Sequence, residues 1–226
     1  MGPKDYLAAE LSSRLSNNQS IGVGTGTTVE AVLGAIKKRI VEESLEIRLV
    51  PTSYQSAWRL EELGLPVTSP ATALALDWAF DGADEVDPDL RLLKGRGAAL
   101  LHEKLIAARA RELYIVADES KLVGRLGEKM AVPVEVIPEA RYSVEESLAG
   151  LGASEVSLRW CESLERKMPL FTQEGNLILD AKFLPIASDL ESKINSIPGV
   201  VENGIFTNHA TEVLIGKDDG VEVRKR

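Results

Sequence analysis

Ser20-Ile21-Gly22-Val23-Gly24-Thr25-Gly26-Thr27-Thr28 runs from a short apolar stretch through glycines and threonines into a helical repeat carried by Val32, Ala35, Ile36 and Arg39. A strand that turns directly into a helix is the opening of a βαβ unit, and the same alternation continues on both sides of it. The pattern predicts a helix over Pro3 to Ser16, a strand over Ser20 to Val23 and a helix over Thr28 to Ile40. A strand at Ile47 to Pro51 and a helix over Ser53 to Leu63 follow, then a strand at Trp78 to Asp81, a helix over Ala98 to Ala110 and a strand at Leu113 to Ala117. Strands separated by helices build an α/β fold, with a mostly parallel, Rossmann-like sheet flanked by helices.

After Met130 the texture changes to short strands, at Val132 to Ile137 and Ser154 to Trp160, with a hairpin of Leu170 to Thr172 against Leu177 to Ala181 around Gln173-Glu174-Gly175-Asn176. Helical patterns over Val144 to Leu151 and Ser188 to Ile197 lie between them. The expectation is a smaller α+β subdomain over residues 131–203, inserted into an α/β catalytic domain of residues 1–130 plus 204–226. The chain would return to the main sheet through Gly204 to Phe206 and Thr211 to Ile215.

The chain has 226 residues, 44% of them hydrophobic, enough to bury a core, and a formal net charge of −9. That balance opposes nucleic-acid phosphates and anionic lipid, so any anion site must be a local basic pocket and no nucleic-acid partner is expected. Residues 1–20 contain no long apolar stretch, so neither a signal peptide nor a membrane span is expected. The single cysteine, Cys161, excludes an internal disulfide, fits a reducing, cytoplasmic setting, and beside Trp160 reads as a buried structural thiol.

In such sheets ligands gather beyond the carboxyl ends of the strands, where every chemically suggestive motif of this chain begins. The glycines of Gly22 to Gly26 let backbone approach a ligand, and Thr25, Gly26, Thr27 and Thr28 offer hydroxyls and amides to an anion such as phosphate. The bland alternative is a tight turn with an ordinary threonine cap. Dinucleotide binding fits poorly, because its fingerprint needs glycine at Thr27 and an acid where Pro51-Thr52-Ser53 stands.

Asp81-Gly82-Ala83-Asp84-Glu85-Val86-Asp87 crowds carboxylates into one turn, with Ala83 and Val86 breaking a calcium-loop pattern. Asp81 and Asp84 suit sugar hydroxyls, with a magnesium ion as the other possibility; Glu85 and Asp87 read as solvated or paired locally. Lys94-Gly95-Arg96-Gly97 precedes a helix and offers an ammonium group and amides to an oxygen gaining negative charge. Within that helix Glu103 has Ala99 and Leu100 one turn before it and Ile106 and Ala107 one turn after. An apolar setting raises a carboxylate's pKa and makes it a base able to take and return a proton beside a carbonyl. Otherwise Glu103 would form a surface ion pair with Lys104 or Arg109. Lys121, in Asp118-Glu119-Ser120-Lys121, either meets a phosphate or is solvated, and His102 and His209 are too far apart for a histidine metal site.

These blocks, with Pro51-Thr52-Ser53, Val132-Pro133-Val134-Glu135-Val136-Ile137-Pro138 and Ile197-Pro198-Gly199-Val200-Val201, closely resemble ribose-5-phosphate isomerase type A, in family order over nearly the whole chain. The resemblance implies a cofactor-free and metal-free aldose–ketose isomerase of the non-oxidative pentose phosphate pathway, interconverting D-ribose 5-phosphate and D-ribulose 5-phosphate through an enediolate. It implies Glu103 as the proton shuttle between C2 and C1, Lys94 and the Gly95 to Gly97 amides as enediolate stabilisers, and Asp81 with Asp84 for ring opening and hydroxyl binding. Gly82 and Ala83 line the same turn. Thr25 to Thr28 with Lys121, and Lys4 more loosely, would hold the phosphate. A homodimer or homotetramer is also implied. Arg96 stands where glycine is frequent and His102 where arginine is; Arg96 either points outward or adds charge near the enediolate. A non-catalytic sugar-phosphate sensor would be expected to carry a DNA-binding module, for which the acidic chain leaves little room. A related deaminase or lactonase is the other alternative.

Overall fold

A computed structural model describes every residue except Met1, Leu74, Leu164 and Glu165, and for Glu162, Ser163 and Arg166 it describes the backbone alone. The chain divides into two compact units: Met1–Ala83 with His102–Leu122 and His209–Arg226, and Asp84–Leu101 with Val123–Asn208. The 131–203 boundary drawn from the texture of the sequence is narrower than this second unit. Asp84–Leu101 also belongs there because its short strands find their partner at Ile205–Phe206.

The first unit is built on a six-stranded sheet. Its strands are β1 (Ser20–Val23), β2 (Arg48–Pro51), β3 (Trp78–Asp81), β6 (Leu113–Asp118), β14 (Glu212–Lys217) and β15 (Gly220–Lys225), numbered in chain order. They lie in the order β15-β14-β6-β3-β1-β2, all parallel except the last strand, β15, which pairs antiparallel with β14 at the edge. The chain moves outward from β1 to β2 and then crosses to β3 on β1's other side, so the strand order reverses between β1 and β3. Helices α1 (Pro3–Ser13), α2 (Thr27–Glu42), α3 (Tyr54–Glu62) and α4 (Leu100–Arg109) connect or flank these strands. Leu7, Leu11, Val32, Ile36, Leu49, Leu60, Phe80 and Leu214 form the core that the alternating pattern foretells. β15 has no counterpart among the elements expected from the sequence, because Val221 and Val223 alternate with the charged Glu222 and Arg224 in a half-exposed edge pattern.

The second unit has a four-stranded sheet, β12-β7-β11-β8, from β7 (Val132–Val136), β8 (Glu155–Leu158), β11 (Leu177–Lys182) and β12 (Val200–Asn203). All of its pairings are antiparallel, and α5 (Arg141–Gly150) and α6 (Leu190–Asn195) contribute Val144, Leu148, Leu190 and Ile194 to its core. Two expectations are corrected here. The Gln173–Asn176 turn exists, but Leu170 to Thr172 forms only a single bridge, Phe171 to Leu177, and the hairpin is instead β9 (Trp160–Ser163) with β10 (Arg166–Pro169). Second, Ile205–Phe206 (β13) does not rejoin the main sheet: it pairs with β5 (Leu92–Leu93), which pairs with β4 (Glu85–Val86). Two-residue strands are too short for periodicity to reveal. Cys161 is exposed, not buried, because the β9–β10 ribbon pairs with no other strand among the described residues.

Candidate active site

At the reversal between β1 and β3 the carboxyl ends of two neighbouring strands lie side by side, the usual ligand position in a sheet of this type. Gly24 and Asp81 meet there. Gly24 donates its N–H to the Phe80 carbonyl at 2.8 Å, and a Cβ on Gly24 would lie 2.2 Å from Asp81 Oδ1, so only glycine fits. Asp81, 4% exposed, accepts the Thr25 amide at 3.1 Å and the Gly82 amide at 2.7 Å. Two hydrogen bonds to one carboxylate oxygen hold it in a fixed direction.

Thr25 is fixed from its other side. Its hydroxyl lies 3.0 Å from Thr52 Oγ1 and 2.7 Å from Ser53 Oγ. Ser53 caps α3 reciprocally with Ser56, so the cap that starts one helix also orients the turn that starts another. The family resemblance covers Thr52 and Ser53 without implying a role for them; their polar character at a strand end is the signal the sequence offers. Helix α2 begins at Gly26, whose φ of 114° requires glycine and which makes no side-chain cap hydrogen bond. The alternative of an ordinary threonine cap is thereby set aside: the N-cap of this 16-residue helix is Gly26, which brings no side chain to the first-turn amides.

Glu103 reaches the same edge by a different element. Ile106 packs on Gly22 so closely that a Cβ there would lie 2.5 Å from its Cγ2, so α4 crosses the sheet over β1 and β3. The end of that helix meets the beginning of β3, where Ala110 bridges Leu76 and Arg111 donates to the Leu76 carbonyl at 3.1 Å. Helix α4 therefore runs from the carboxyl edge towards the amino edge, and Glu103, about one turn or 5 Å before Ile106, lies towards the carboxyl edge. It is 8% exposed, with Ala99, Leu100, Ile106 and Ala107 all buried, and is not a solvated surface glutamate. Lys121 ends a short 3₁₀ turn just beyond β6, capped by the Asp118 side chain on the Ser120 amide at 2.8 Å, and is partly exposed. Lys4 is exposed on α1.

In the second unit, Lys94 is 4% exposed, with its ammonium 5.7 Å from the centre of the Phe206 ring and its amide donating to Gly204 at 2.9 Å. Gly204 must be glycine, since a Cβ would lie 2.2 Å from the Lys94 carbonyl oxygen. Asp84 accepts the Arg96 amide at 3.1 Å, and Arg96 Nε lies 3.7 Å from it. The Arg96 side chain is 67% exposed, so it points outward and pairs with Asp84 on the way. Gly95 adopts φ 101°, and Gly97 is exposed at the tip of the turn.

The outer half of the acidic turn is corrected. Glu85 is fully buried, not solvated: it accepts the amides of Gly127, Lys129 and Met130 at 2.6, 2.6 and 2.8 Å. Asp87, 2% exposed, is paired locally, accepting Arg91 Nε at 2.6 Å and the Asp89 and Arg91 amides. Both carboxylates build loops. Among the described residues no cluster of three histidine, cysteine or acidic side chains is arranged to hold a metal ion, and no helix is long and apolar enough to cross a membrane.

A family model for ribose 5-phosphate isomerase A (phosphoriboisomerase A) matches residues 48–220. The ribose-5-phosphate isomerase A of Thermococcus kodakarensis is 44% identical over 226 residues, covering 99% of this chain and 97% of the relative. That of Methanothermobacter thermautotrophicus is 43% identical over 225 residues, with the same coverage. Among solved structures, ribose 5-phosphate isomerase A from Methanocaldococcus jannaschii superposes with a TM-score of 0.93 at 37% identity, over 99% of this chain and 98% of that one. A D-ribose-5-phosphate isomerase in complex with phospho-erythronic acid superposes with a TM-score of 0.93 at 40% identity over the same shares. With likeness at this level along its whole length, the chain belongs to the ribose 5-phosphate isomerase A family.

Proposed function

We propose that this protein interconverts D-ribose 5-phosphate and D-ribulose 5-phosphate, and that the residues above divide the work as follows. The observation that carries this reading is the convergence of two buried acids, Asp81 and Glu103, with the uncapped start of α2 at one edge of one sheet. Such an edge offers a fixed carboxylate, a shielded base and an anion site, the three things needed to isomerise a phosphorylated sugar. Family membership supports the substrate.

Asp81, oriented by the Thr25 and Gly82 amides, takes the anomeric hydroxyl proton; the O1 electrons form the C1 carbonyl as the C1–O4 bond breaks, and the proton passes to O4, which opens the furanose ring. Glu103 then removes the proton from C2; the C2–H electrons form the C1–C2 double bond, and negative charge passes to O1. Lys94 and the amides of Gly95 to Gly97 stabilise that enediolate, and Asp84 holds hydroxyls. Return of the proton to C1, with a proton moving from O2 to O1, re-forms the carbonyl at C2. Thr25, Gly26, Thr27 and Thr28 with Lys121 bind the phosphate, which does not change during the reaction. Their contribution is therefore uniform binding, whereas that of Lys94 grows in the transition state.

Incubation with ribose 5-phosphate in EDTA, following ribulose 5-phosphate, is expected to give undiminished turnover. No turnover would refute the isomerase reading, and turnover lost only with chelator would refute the metal-free mechanism. Glu103→Gln should lower kcat by at least about 10²-fold while leaving sugar-phosphate binding largely intact, as isothermal calorimetry would report. We also read the protein as a cytoplasmic homodimer or homotetramer; the exposed Tyr142, Phe171 and Leu184 of the second unit support an assembly role, which light scattering would test.

A further inference from the structure

The second unit holds a partly buried ion pair with no part in the chemistry just described. Arg159 lies between β8 and β9, its side chain 14% exposed, and turns one edge of its guanidinium onto Asp180 of β11. Nε donates to Asp180 Oδ2 at 2.9 Å and Nη2 to Oδ1 in a bidentate pair. The remaining nitrogen, Nη1, donates to two backbone carbonyls, Gly95 at 2.7 Å and Arg96 at 3.0 Å. These are consecutive carbonyls in the turn that carries the proposed oxyanion donors.

A trans peptide directs each N–H opposite to the carbonyl of the preceding residue. Drawing the Gly95 and Arg96 carbonyls onto Arg159 therefore turns the amides of Arg96 and Gly97 the other way. The Arg96 amide does point away, to Asp84 Oδ2 at 3.1 Å. The Gly97 amide has no acceptor among the described residues. The turn's own bond, from the Ala98 amide to the Gly95 carbonyl at 3.1 Å, holds the first of these peptides only, and Gly95 at φ 101° and the exposed tip leave the second to be fixed from outside the turn. Bidentate pairing with Asp180 fixes the guanidinium plane, and with it the direction of Nη1, at an entropic cost met once in folding.

We infer that Arg159, held by Asp180, is a positioning residue that fixes the peptide planes of Gly95–Gly97 so that, with the Arg96 amide tied to Asp84, the Gly97 amide is preorganised for the developing enediolate oxygen. This rests on the isomerase reading for its substrate but not for its geometry. Preorganised donors stabilise charge without reorganising as it appears, so loosening them lowers kcat more than it raises KM.

Arg159→Met, Arg159→Lys and Asp180→Asn are to be compared with wild type, after thermal melts establish that each is folded. The expected result is a fall in kcat of about tenfold or more for Arg159→Met, with KM within about twofold, and a smaller fall for Arg159→Lys, which keeps a donor. Inhibition by phospho-erythronic acid, whose carboxylate stands in for the enediolate oxygens, should weaken in step with kcat, while inhibition by inorganic phosphate should not change. Unchanged kcat in Arg159→Met, or equal weakening of both inhibitors, would overturn the inference. In ¹⁵N-labelled Asp180→Asn, a milder change should it be needed, the Arg96 and Gly97 amide resonances should shift and exchange faster; unmoved resonances would also overturn it. Absence of turnover in wild type would defeat the isomerase reading alone, since the resonances test the clamp without substrate.

Discussion

Glycine and aspartate at two strand ends illustrate how much of this site is decided by single atoms. Gly24→Ala forces a methyl carbon onto the Asp81 carboxylate, 2.2 Å from Oδ1, and the neighbour cannot yield without abandoning the Thr25 and Gly82 amides. The variant is expected to fold less stably by about 1–3 kcal/mol and to lose most of its kcat, measurable by urea denaturation and steady-state kinetics. Lys121→Ala belongs to the same scale and has the opposite signature. A lysine that touches only the phosphate contributes equally to ground and transition states, so KM should rise about tenfold with kcat little altered. A large kcat loss at unchanged KM would remove Lys121 from the phosphate site. At this scale the sequence was informative wherever chemistry is local: Asp81, Glu103 and Lys94 were singled out by type and position, and all three are buried. It misassigned Glu85 because the amides that satisfy it come from residues 127–130, more than forty positions away.

Between elements, the loop that follows a strand is held by whatever its neighbours supply. Ser53 caps α3 and also steadies Thr25 ahead of α2, so the two helix starts are mechanically joined. Glu85, on the two-residue β4, does for the 127–130 loop what a longer strand would do by pairing. Glu85→Ala leaves three amides in or near the interior without an acceptor, at about 1–3 kcal/mol each. A loss of at least about 3 kcal/mol in urea or thermal unfolding is expected, with Glu85→Gln intermediate because one acceptor oxygen survives. Helices and long strands were read from the sequence to within a few residues, since their apolar periodicity is local. The β4–β5–β13 sheet was not, because pairs of residues have no period and take their partners from remote segments.

At the scale of whole units, each is assembled from separated stretches of chain, and the first is closed by contacts between its ends. Arg14, which caps the end of α1, donates to Glu212 of β14 at 2.8 Å and to Glu10, and its guanidinium lies 4.3 Å from the Tyr114 ring centre. Lys225 adds a second cation to Glu212 at 2.8 Å. Burial pushes the Glu212 carboxyl up, but hydrogen bonds from Lys225 and Arg14 override it and hold the group below its ordinary 4.5. Burial and the hydrogen bond to Glu112 push the Tyr114 hydroxyl up to about 12, so it stays neutral across the working range. A lowered carboxylate pKa contributes stability that is complete above the ordinary value and lost as pH falls through the folded one. Glu212→Gln is therefore expected to lower Tm near neutrality, by about 1–3 kcal/mol of stability, and to flatten its decline on acidification below about pH 4.5. A wild-type slope retained in the variant would show that other carboxylates govern acid unfolding.

By itself, the sequence determined that this is a mostly parallel α/β protein with motifs at strand ends, because hydrophobic period and residue type are properties of neighbouring positions. Family likeness then supplied what period and type could not, a sugar-phosphate substrate. Only the tertiary structure decided which side chains are buried, which are exposed and which remote groups they meet. It turned Arg96 outward, buried Glu85 as a loop anchor and exposed Cys161, and it brought Arg159 onto the carbonyls of Gly95 and Arg96 from more than sixty residues away. The reason is physical: hydrogen bonds and burial depend on distance in space, and a loop's partners are chosen by the packing of elements that no local pattern encodes.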